Sequence, residues 1–510
     1  MTRNVLEYLE NSGKEYAEKV AFDDNKTTIT YYDLIKQAKA VGTSICNLGV
    51  YNKPVVVYMP KSCASIVSFM GVVYSGGFYC PIDVTMPIEK IELIIDTLKP
   101  AAIITDEKYR EKAEKINRQS EIIVFQESIE TAIDENRLAD IRSNSTENDP
   151  LYVLFTSGST GMPKGVLISH RSIIDLVENA VPILNVSNAD IWGNQGAFHF
   201  DLSVLEIYCS LKTGATVCII PRKKFLFQVD LLRYLDEKGI TVINWVPSAL
   251  CNVANSKALD VVLPKSLNKV FFCGEAMPNK QLNIWRGKMP DVTYVNMYGP
   301  TEITYACSYQ IVKQTYKDDE PLPIGVPFPN TKILVLNEKN ERVACGEVGE
   351  LCVAGSSLAL GYYNNKKKTE EVFVNNPLNT AYSETIYRTG DLVKYNDNGE
   401  LVYLSRKDFQ IKHLGHRIEL GEIEAAMGNV SGIENYACVY DENIKEICMC
   451  YTGEEKEKDF FKEHLKKKLT AYMIPQKYIY MSNIPYNANG KIDRVELKKI
   501  VEEMTGKNEI

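Results

Sequence analysis

The stretch Leu151–His170 reads LYVLFTSGSTGMPKGVLISH. An apolar run from Leu151 to Phe155 breaks into Thr156-Ser157-Gly158-Ser159-Thr160-Gly161, passes Pro163-Lys164-Gly165 and resumes as an apolar run from Val166 to Ile168. Short apolar runs bounded by glycine read as strands buried on both faces. The loop between them concentrates glycines, hydroxyls and one lysine. Glycine permits the φ > 0 turns that a wrap around an anion needs, and successive N–H groups form an anion-binding concavity. The Walker pattern wants Gly-Lys-Ser/Thr at a fixed spacing. Here Pro163 precedes the lysine and Gly165 follows it, so this is a phosphate loop of another design. The bland alternative is a Ser/Gly-rich surface loop, which the flanking strands disfavour.

On both sides of this stretch the chain alternates strand and helix. Thr30 followed by Asp33 is a capping pattern that opens a helix through Val50. Strands are expected at 54–58, 78–82 and 101–105, with helices at 64–74 and 88–98 between them. That rhythm implies a parallel sheet with right-handed crossovers. Residues 106–149 are polar and charged, and read as an irregular, partly helical surface connection. After the loop, 215–220, 229–235, 241–246, 269–273 and 292–295 repeat the strand–helix rhythm and predict a second parallel sheet. From about 321 to 404 short strands and Gly-rich turns predict a small β-rich subdomain. Beyond Arg406-Lys407-Asp408 the pattern changes to a compact α+β module: a helix at 422–427, strands at 437–440 and 446–451, and a helix at 459–469. The expected fold is α/β, with a large N-terminal domain (1–407) and a small C-terminal domain (408–510) meeting at Asp408.

The chain has 510 residues, which is long for one core and suits two or more domains. A net charge of −8 argues against a nucleic-acid partner, which would need a basic face. The thirteen cysteines contain no C-x-x-C pair, and most lie in apolar runs, where a free thiol behaves as a small hydrophobe. Zinc and disulfide readings are weak, so a reducing compartment is expected. No apolar stretch approaches the length of a membrane span, and MTRNVLEYLENSGKEY does not read as a signal peptide. The expectation is a cytoplasmic monomer with no membrane insertion.

A second constellation, Asn296-Met297-Tyr298-Gly299-Pro300-Thr301-Glu302, directly follows a strand. Ligands bind beyond the carboxyl ends of strands in open parallel sheets. An aromatic ring for a base, a hydroxyl for a phosphate and a carboxylate for a hard cation suit a nucleotide–magnesium site. With the phosphate loop, Tyr387-Arg388-Thr389-Gly390-Asp391, the segment from Asp408 to Glu422, and Asn489-Gly490-Lys491-Ile492-Asp493, these motifs resemble the adenylate-forming superfamily of acyl-CoA synthetases, luciferases and peptide-synthetase adenylation domains. The resemblance covers essentially the whole chain.

It implies ATP and Mg²⁺. Tyr298 would stack on adenine beside a wall formed by Gly274-Glu275-Ala276, with Asn296 and Gly299 in the same motif. Thr301 would meet the α-phosphate, Glu302 would hold Mg²⁺, and Asp391 and Arg406 would contact the ribose or phosphates. Thr156 to Gly161 and Lys164 would cradle phosphate. Lys491 would bridge carboxylate and phosphate in a first half-reaction that makes an acyl-adenylate. The small, mobile domain would then turn about Asp408 and bring Lys412 in for thiol transfer. One departure is visible: the family often has arginine where this chain has Leu414, so that arginine's role is absent or moved to His413.

Asp201 in Phe198-His199-Phe200-Asp201-Leu202-Ser203 resembles the aspartate that binds the α-ammonium in amino-acid-activating members. A buried aspartate is costly unless paired, and a substrate cation would pair it; the alternative is a helix cap. The peptide-synthetase pocket positions carry over to Asp201, Leu202, Leu205, Asn244, Phe271, Cys273, Met297, Tyr305, Ala306 and Lys491. Their bulk leaves room for glycine, alanine, serine or cysteine. Asn194-Gln195, Phe272-Cys273-Gly274-Glu275 and Ala471-Tyr472-Met473-Ile474-Pro475 resemble standalone D-alanine–carrier-protein ligases, which puts D-alanine first. Met297 and Tyr305 depart from the smaller residues expected there, and Glu419-Leu420-Gly421-Glu422 looks more like a peptide synthetase. No Asp-Ser-Leu type of phosphopantetheine attachment site is found, so the phosphopantetheinylated carrier protein is expected to be a separate chain. The rival readings are an acyl-CoA synthetase using free CoA, which Asp201 disfavours, and a degenerate adenylate-binding module. Intact Lys164, Glu302, Asp391 and Lys491 disfavour the second.

Overall fold

The computed structural model describes residues 2–116, 119–158, 162–318, 320–407, 410–428, 430–486 and 492–506. The chain divides into two compact units: Met1–Val84, Leu98–Leu154 and Gly165–Ser405 in one, Thr85–Thr97, Phe155–Lys164 and Arg406–Ile510 in the other.

The large sheets lie in the first unit except for a few strand-end residues such as Phe155, Thr156 and Lys164. One has seven strands in the spatial order Gly361–Tyr362, Lys164–Ser169, Pro150–Thr156, Phe78–Ile82, Pro54–Tyr58, Ala102–Thr105, Glu121–Val124. Its central pairs run parallel, with Val56 level with Cys80 on one side and Ile103 on the other. Every residue of Pro54–Tyr58, Phe78–Ile82 and Ala102–Thr105 is buried. Helices covering both faces explain why these strands read as unbroken apolar runs rather than alternating ones. The helix Cys63–Tyr74 is buried nearly all round, and Ser62 caps it by accepting from the Ser65 amide. Thr30 caps the helix Tyr31–Cys46 in the same way, accepting from Asp33 N.

The second large sheet has nine strands, in the order Val326–Pro327, Ser308–Ile311, Thr293–Tyr298, Lys269–Phe272, Val242–Trp245, Ile191–Asn194, Thr216–Ile219, Val20–Asp23, Thr28–Thr30. Its central pairs are parallel and its outer pairs antiparallel. A five-stranded antiparallel sheet built from Thr331–Leu336, Gly349–Gly355, Phe373–Asn375, Thr385–Tyr395 and Leu401–Arg406 forms the β-rich part. The architecture is the expected mixed α/β one, with differences in detail. The 106–149 segment is more ordered than its polarity suggests: Glu121–Val124 adds a parallel edge strand, and helices Arg110–Ile116 and Glu135–Asn144 flank it.

The second unit contains the hairpin Gln410–His413/His416–Glu419, the helices Leu420–Met427, Lys458–Leu465 and Arg494–Gly506, and a three-stranded sheet of Ile433–Asp441, Glu446–Gly453 and Lys477–Tyr480. The third strand and the last helix were not expected from the sequence. The helix placed at 459–469 ends earlier, at Leu465. Within this unit Lys90 of the helix Ile88–Leu98 makes a 2.7 Å ion pair with Glu422, both side chains largely buried.

Candidate active site

In the first unit, the parallel register of the nine-stranded sheet brings together several of the residues expected from the sequence to line a substrate pocket. Asn244 lies level with Phe271, and Phe271 with Val295, two residues before Met297. Leu202, Leu205, Phe271, Cys273, Met297, Tyr305 and Ala306 fall in one buried apolar cluster. Asn244 is fully buried beside it and hydrogen-bonded through both amide atoms: Tyr305 Oη donates to its Oδ1 at 2.8 Å, and its Nδ2 donates to Leu202 O at 3.1 Å. Burial pushes the Tyr305 phenol far above its usual range, with Cys273, Asp201 and Glu206 adding to the shift. Asp201 occupies the N-cap position of the helix Leu202–Thr213, yet its backbone is already helical and its side chain makes no capping bond. The helix-cap alternative therefore does not account for this carboxylate. It is half-buried, and its charge acts on Tyr152 and Tyr305.

The nucleotide motif gathers in the same unit. The strand Thr293–Tyr298 runs straight into Gly299 and Pro300, and then into a short turn of helix at Thr301–Ile303. Gly299 has no substitute here: a Cβ would lie 2.6 Å from Tyr305 O and from Ala306 Cα. The next residues turn back on themselves, Thr304 and Tyr305 both at positive φ, so the expected nucleotide motif and the expected pocket residues Tyr305 and Ala306 share one tight bend. Tyr298 Oη donates to Asp391 Oδ2, both residues being buried. Asp391 is held in turn by Thr389, whose Oγ1 accepts from Asp391 N and donates to Leu351 O. Glu302 is fully buried and accepts from Tyr362 Oη at 2.7 Å. Asn296 Nδ2 donates to Pro323 O, Glu275 Oε2 accepts from Ser248 N, and Gly274 sits at φ +100. Ala276 follows Glu275, and Thr301 is buried.

The second unit holds the described part of the phosphate loop. Thr156 Oγ1 donates to Lys164 O at 3.5 Å, and Ser157 Oγ donates to Arg417 O at 2.7 Å. Lys164 Nζ lies 3.2 Å from Glu419 Oε1, both side chains largely buried. Gly158 has no room for a side chain, because a Cβ would strike Met162 O at 1.9 Å. Arg417 Nε donates to Gln410 Oε1 at 2.6 Å, and Gln410 Nε2 donates to Glu419 at 2.5 Å. A chain of charge-assisted bonds thus ties the hairpin to the loop lysine. Lys412 stands on that hairpin, level with Arg417. Leu414 and Gly415, at φ +52 and +79, form its two-residue turn, the conformation that hairpins favour. His413 is buried against Tyr440. Arg406 ends the strand Leu401–Arg406. Ser159, Thr160, Gly161, Asp408 and Lys491 lie outside the described residues.

Sequence reading did not single out Tyr362, the hydrogen-bond partner of Glu302. It also missed Lys61 and Glu206, which meet at Asn194 behind the Asp201 segment. A charge inside an otherwise apolar run, such as Glu206 in LSVLEIYCSL, was the available signal. A cavity of about 210 Å³ lined by Asn4, Arg142 and His170 among others gathers none of the candidate site residues.

Solved structures share this fold. The Vibrio cholerae adenylation domain AlmE in complex with glycyl-adenosine-5'-phosphate superposes with a TM-score of 0.84 at 21% identity, covering 99% of this chain and 98% of that one. Among curated sequences, tyrocidine synthase 1 of Brevibacillus parabrevis is 29% identical over 97% of this chain and 45% of its own length. The chain thus spans less than half of that synthase. The D-alanine--D-alanyl carrier protein ligase of Listeria monocytogenes serotype 4b (strain F2365) is 32% identical over 98% of this chain and 100% of its own.

The fold is that of an adenylation domain. This chain belongs to the AMP-binding enzyme family, matched over residues 9–363.

Proposed function

We propose that the chain activates a small amino acid, D-alanine first among the candidates, as an aminoacyl-adenylate and passes it to the phosphopantetheine thiol of a separate carrier protein. The observation that carries this reading is Asp201, whose carboxylate heads the helix without capping it, directly before Leu202 of the buried apolar cluster that also holds Phe271, Met297 and Tyr305. A carboxylate there suits an α-ammonium. Leu202, Leu205, Phe271, Met297 and Tyr305 leave little space for a side chain beyond it. The full-length likeness to D-alanine--D-alanyl carrier protein ligases supports the carrier-protein half.

In the first half-reaction a carboxylate oxygen of the amino acid bonds to the α-phosphorus of ATP and pyrophosphate leaves. In the second, the thiol sulfur bonds to the carbonyl carbon and AMP leaves. Negative charge develops at the phosphate and then at the tetrahedral carbon, so positioning and electrostatics suffice and no side-chain nucleophile is needed. Asp391, fixed by Tyr298 and Thr389, would accept the ribose hydroxyls. Thr301 would contact the α-phosphate, and Lys491 would bridge the reacting carboxylate and phosphate. A single buried carboxylate beside a hydroxyl, Glu302 and Thr301, fits Mg²⁺, which is bound through one or two carboxylates plus substrate phosphates. The metal would supply neutralisation of phosphate charge. Asp408 would be the hinge between core (1–407) and lid (408–510), and Lys412 would serve the thiol-transfer orientation. The working form would be a cytoplasmic monomer. Among the described residues no helix is long and apolar enough to cross a membrane.

Amino-acid-dependent pyrophosphate exchange across a panel of D- and L-amino acids tests the reading. Exchange confined to small amino acids supports it. Exchange driven only by fatty or aryl acids, or none at all, would sink it.

A further inference from the structure

The segment Gln195–Phe200 joins the strand Ile191–Asn194 to the helix Leu202–Thr213 and delivers Asp201. It contains no regular structure that could fix its path. What holds it is a charged side chain from elsewhere in the same unit. Lys61, just after the strand Pro54–Tyr58, donates from Nζ to Asn194 Oδ1 at 2.7 Å, Gln195 O at 3.1 Å and Gly196 O at 3.2 Å. An ammonium has three protons, and each finds an acceptor at the start of this segment. The same ammonium stands 5.9 Å from the centre of the Phe198 ring.

Asn194 passes the contact on. Its Nδ2 donates to Gly196 O at 3.3 Å and to Oε1 of Glu206, on the second turn of the helix that Asp201 heads. Glu206 is fully buried, and its Oε2 has no hydrogen-bond partner among the described residues. Burial pushes its carboxyl up to about 8, against the pull of Asn194 and Lys61. Burial likewise brings the Lys61 ammonium down to about 8, with Glu206 opposing the fall. From the other side Val246 N donates to Gln195 Oε1, and Asn244 Nδ2 holds Leu202 O.

A buried lysine and glutamate are poor devices for stability, since apolar residues of the same volume serve as well or better. What they supply here is direction: three bonds from one ammonium set the start of the segment, and Asn194 ties that start to the helix. We propose that Lys61 and Glu206 are positioning residues for amino-acid binding, holding the Gln195–Phe200 segment so that Asp201 presents its carboxylate to the substrate ammonium. This rests on the reading of Asp201 given above.

The test is pyrophosphate exchange by the full chain with D-alanine or the best amino acid of the panel, measuring KM for the amino acid and for ATP separately, with thermal unfolding alongside. K61M should raise the amino-acid KM tenfold or more while the ATP KM stays within twofold. K61R, which keeps the charge and the donors, should bring the amino-acid KM back to within threefold of wild type. E206L removes the acceptor that Asn194 Nδ2 bonds while filling the same buried space, and should raise the amino-acid KM severalfold with little change in melting temperature. An unchanged amino-acid KM in folded K61M and E206L overturns the proposal, as does a parallel rise in both KM values. If K61M does not fold, E206L decides alone by the same criteria. A wild type that responds to no amino acid refutes the Asp201 reading itself and this inference with it, a result distinct from an active wild type with insensitive variants.

Discussion

Tyr362 donates a 2.7 Å hydrogen bond to Oε1 of Glu302, and both side chains are buried. The bond fixes one oxygen of the carboxylate assigned to Mg²⁺. Glu302→Gln keeps an acceptor for Tyr362 at the same place but removes the charge. Catalysis should therefore fall a hundredfold or more, while urea unfolding shifts by less than about 1 kcal/mol, the scale of one neutral hydrogen bond. Tyr362→Phe does the reverse. It deletes a charge-assisted bond worth roughly 1.5–3 kcal/mol and should appear as lost stability. Unchanged magnesium dependence in Glu302→Gln would place the metal elsewhere.

The buried bond from Tyr298 to Asp391 links the carboxyl end of the strand Thr293–Tyr298 to the middle of Thr385–Tyr395. If Asp391 takes the ribose hydroxyls, Asp391→Asn loses a charge-assisted bond of roughly 1.5–3 kcal/mol. At about 1.4 kcal/mol per decade, the ATP KM should rise by roughly tenfold to a hundredfold. Tyr298→Phe keeps the ring and frees the carboxylate, so its effect should be smaller and in the same direction. Equal ATP KM values in wild type and Asp391→Asn would move the ribose away from this residue.

The two half-reactions should separate by mutation. Lys491→Ala should abolish adenylate formation, while Lys412→Ala spares it and slows transfer to the carrier thiol. Single-turnover assays of each step read this directly. Comparable loss of both steps in each variant would argue against two orientations of the C-terminal module.

Much of this was legible because the residues concerned obey local rules. The all-apolar strands Pro54–Tyr58 and Phe78–Ile82 announce a doubly covered parallel sheet, and Thr30 with Asp33 announces a helix start. Glu121–Val124 was hidden because it is only four residues long and enters between two charged helices. The helix Arg494–Gly506 did carry its signal: Leu497 and Val501, both fully buried, are four apart. In the site, motif residues could be read one by one, but their partners could not. Tyr362 is 60 residues from Glu302, and Lys61 is 133 from Asn194. Nothing in the local sequence of either tyrosine or lysine encodes such a pairing; only the sheet order brings them together.

His170 gives a pH-dependent stability term. It opens the helix His170–Leu184 and accepts the Val5 amide at Nδ1, fully enclosed. Burial, with the nearby charge of Arg142, pushes its pKa down to about 3. The unfolded chain protonates this residue near 6.5, so below that pH the unfolded state binds the extra proton. The neutral ring's stabilising contribution is whole above pH 6.5 and is lost as pH falls, by about 1.4 kcal/mol per pH unit. His170→Asn keeps an acceptor but does not titrate. Its unfolding free energy should fall less steeply between pH 6.5 and 4.5, by one proton's worth. Parallel urea-unfolding profiles for the two proteins would contradict the assignment.

The substrate pocket makes the most specific demand. Asp201 should meet the α-ammonium, and removing one partner of a desolvated, hydrogen-bonded charge pair costs about 2–5 kcal/mol. Asp201→Ala should therefore lower kcat/KM for the amino acid by roughly 30-fold to a few thousandfold, with ATP binding little changed. The floor is a separate matter. Met297 and Tyr305 are both buried, and Tyr305 is anchored through its hydroxyl to Asn244. Tyr305→Phe would leave the Asn244 carbonyl without this 2.8 Å bond, loosening the floor without enlarging it. Met297→Ala removes volume instead, and should admit larger side chains while weakening contacts to a small one. Each methylene is worth only about 1–3 kcal/mol in such a pocket, so the preference should shift by degrees rather than switch. Exchange assays with alanine, valine, leucine and phenylalanine on both variants read the trend. Wild type should accept D-alanine or another small amino acid and reject leucine and phenylalanine; strong wild-type activity on either large substrate would mean that these residues do not line the pocket.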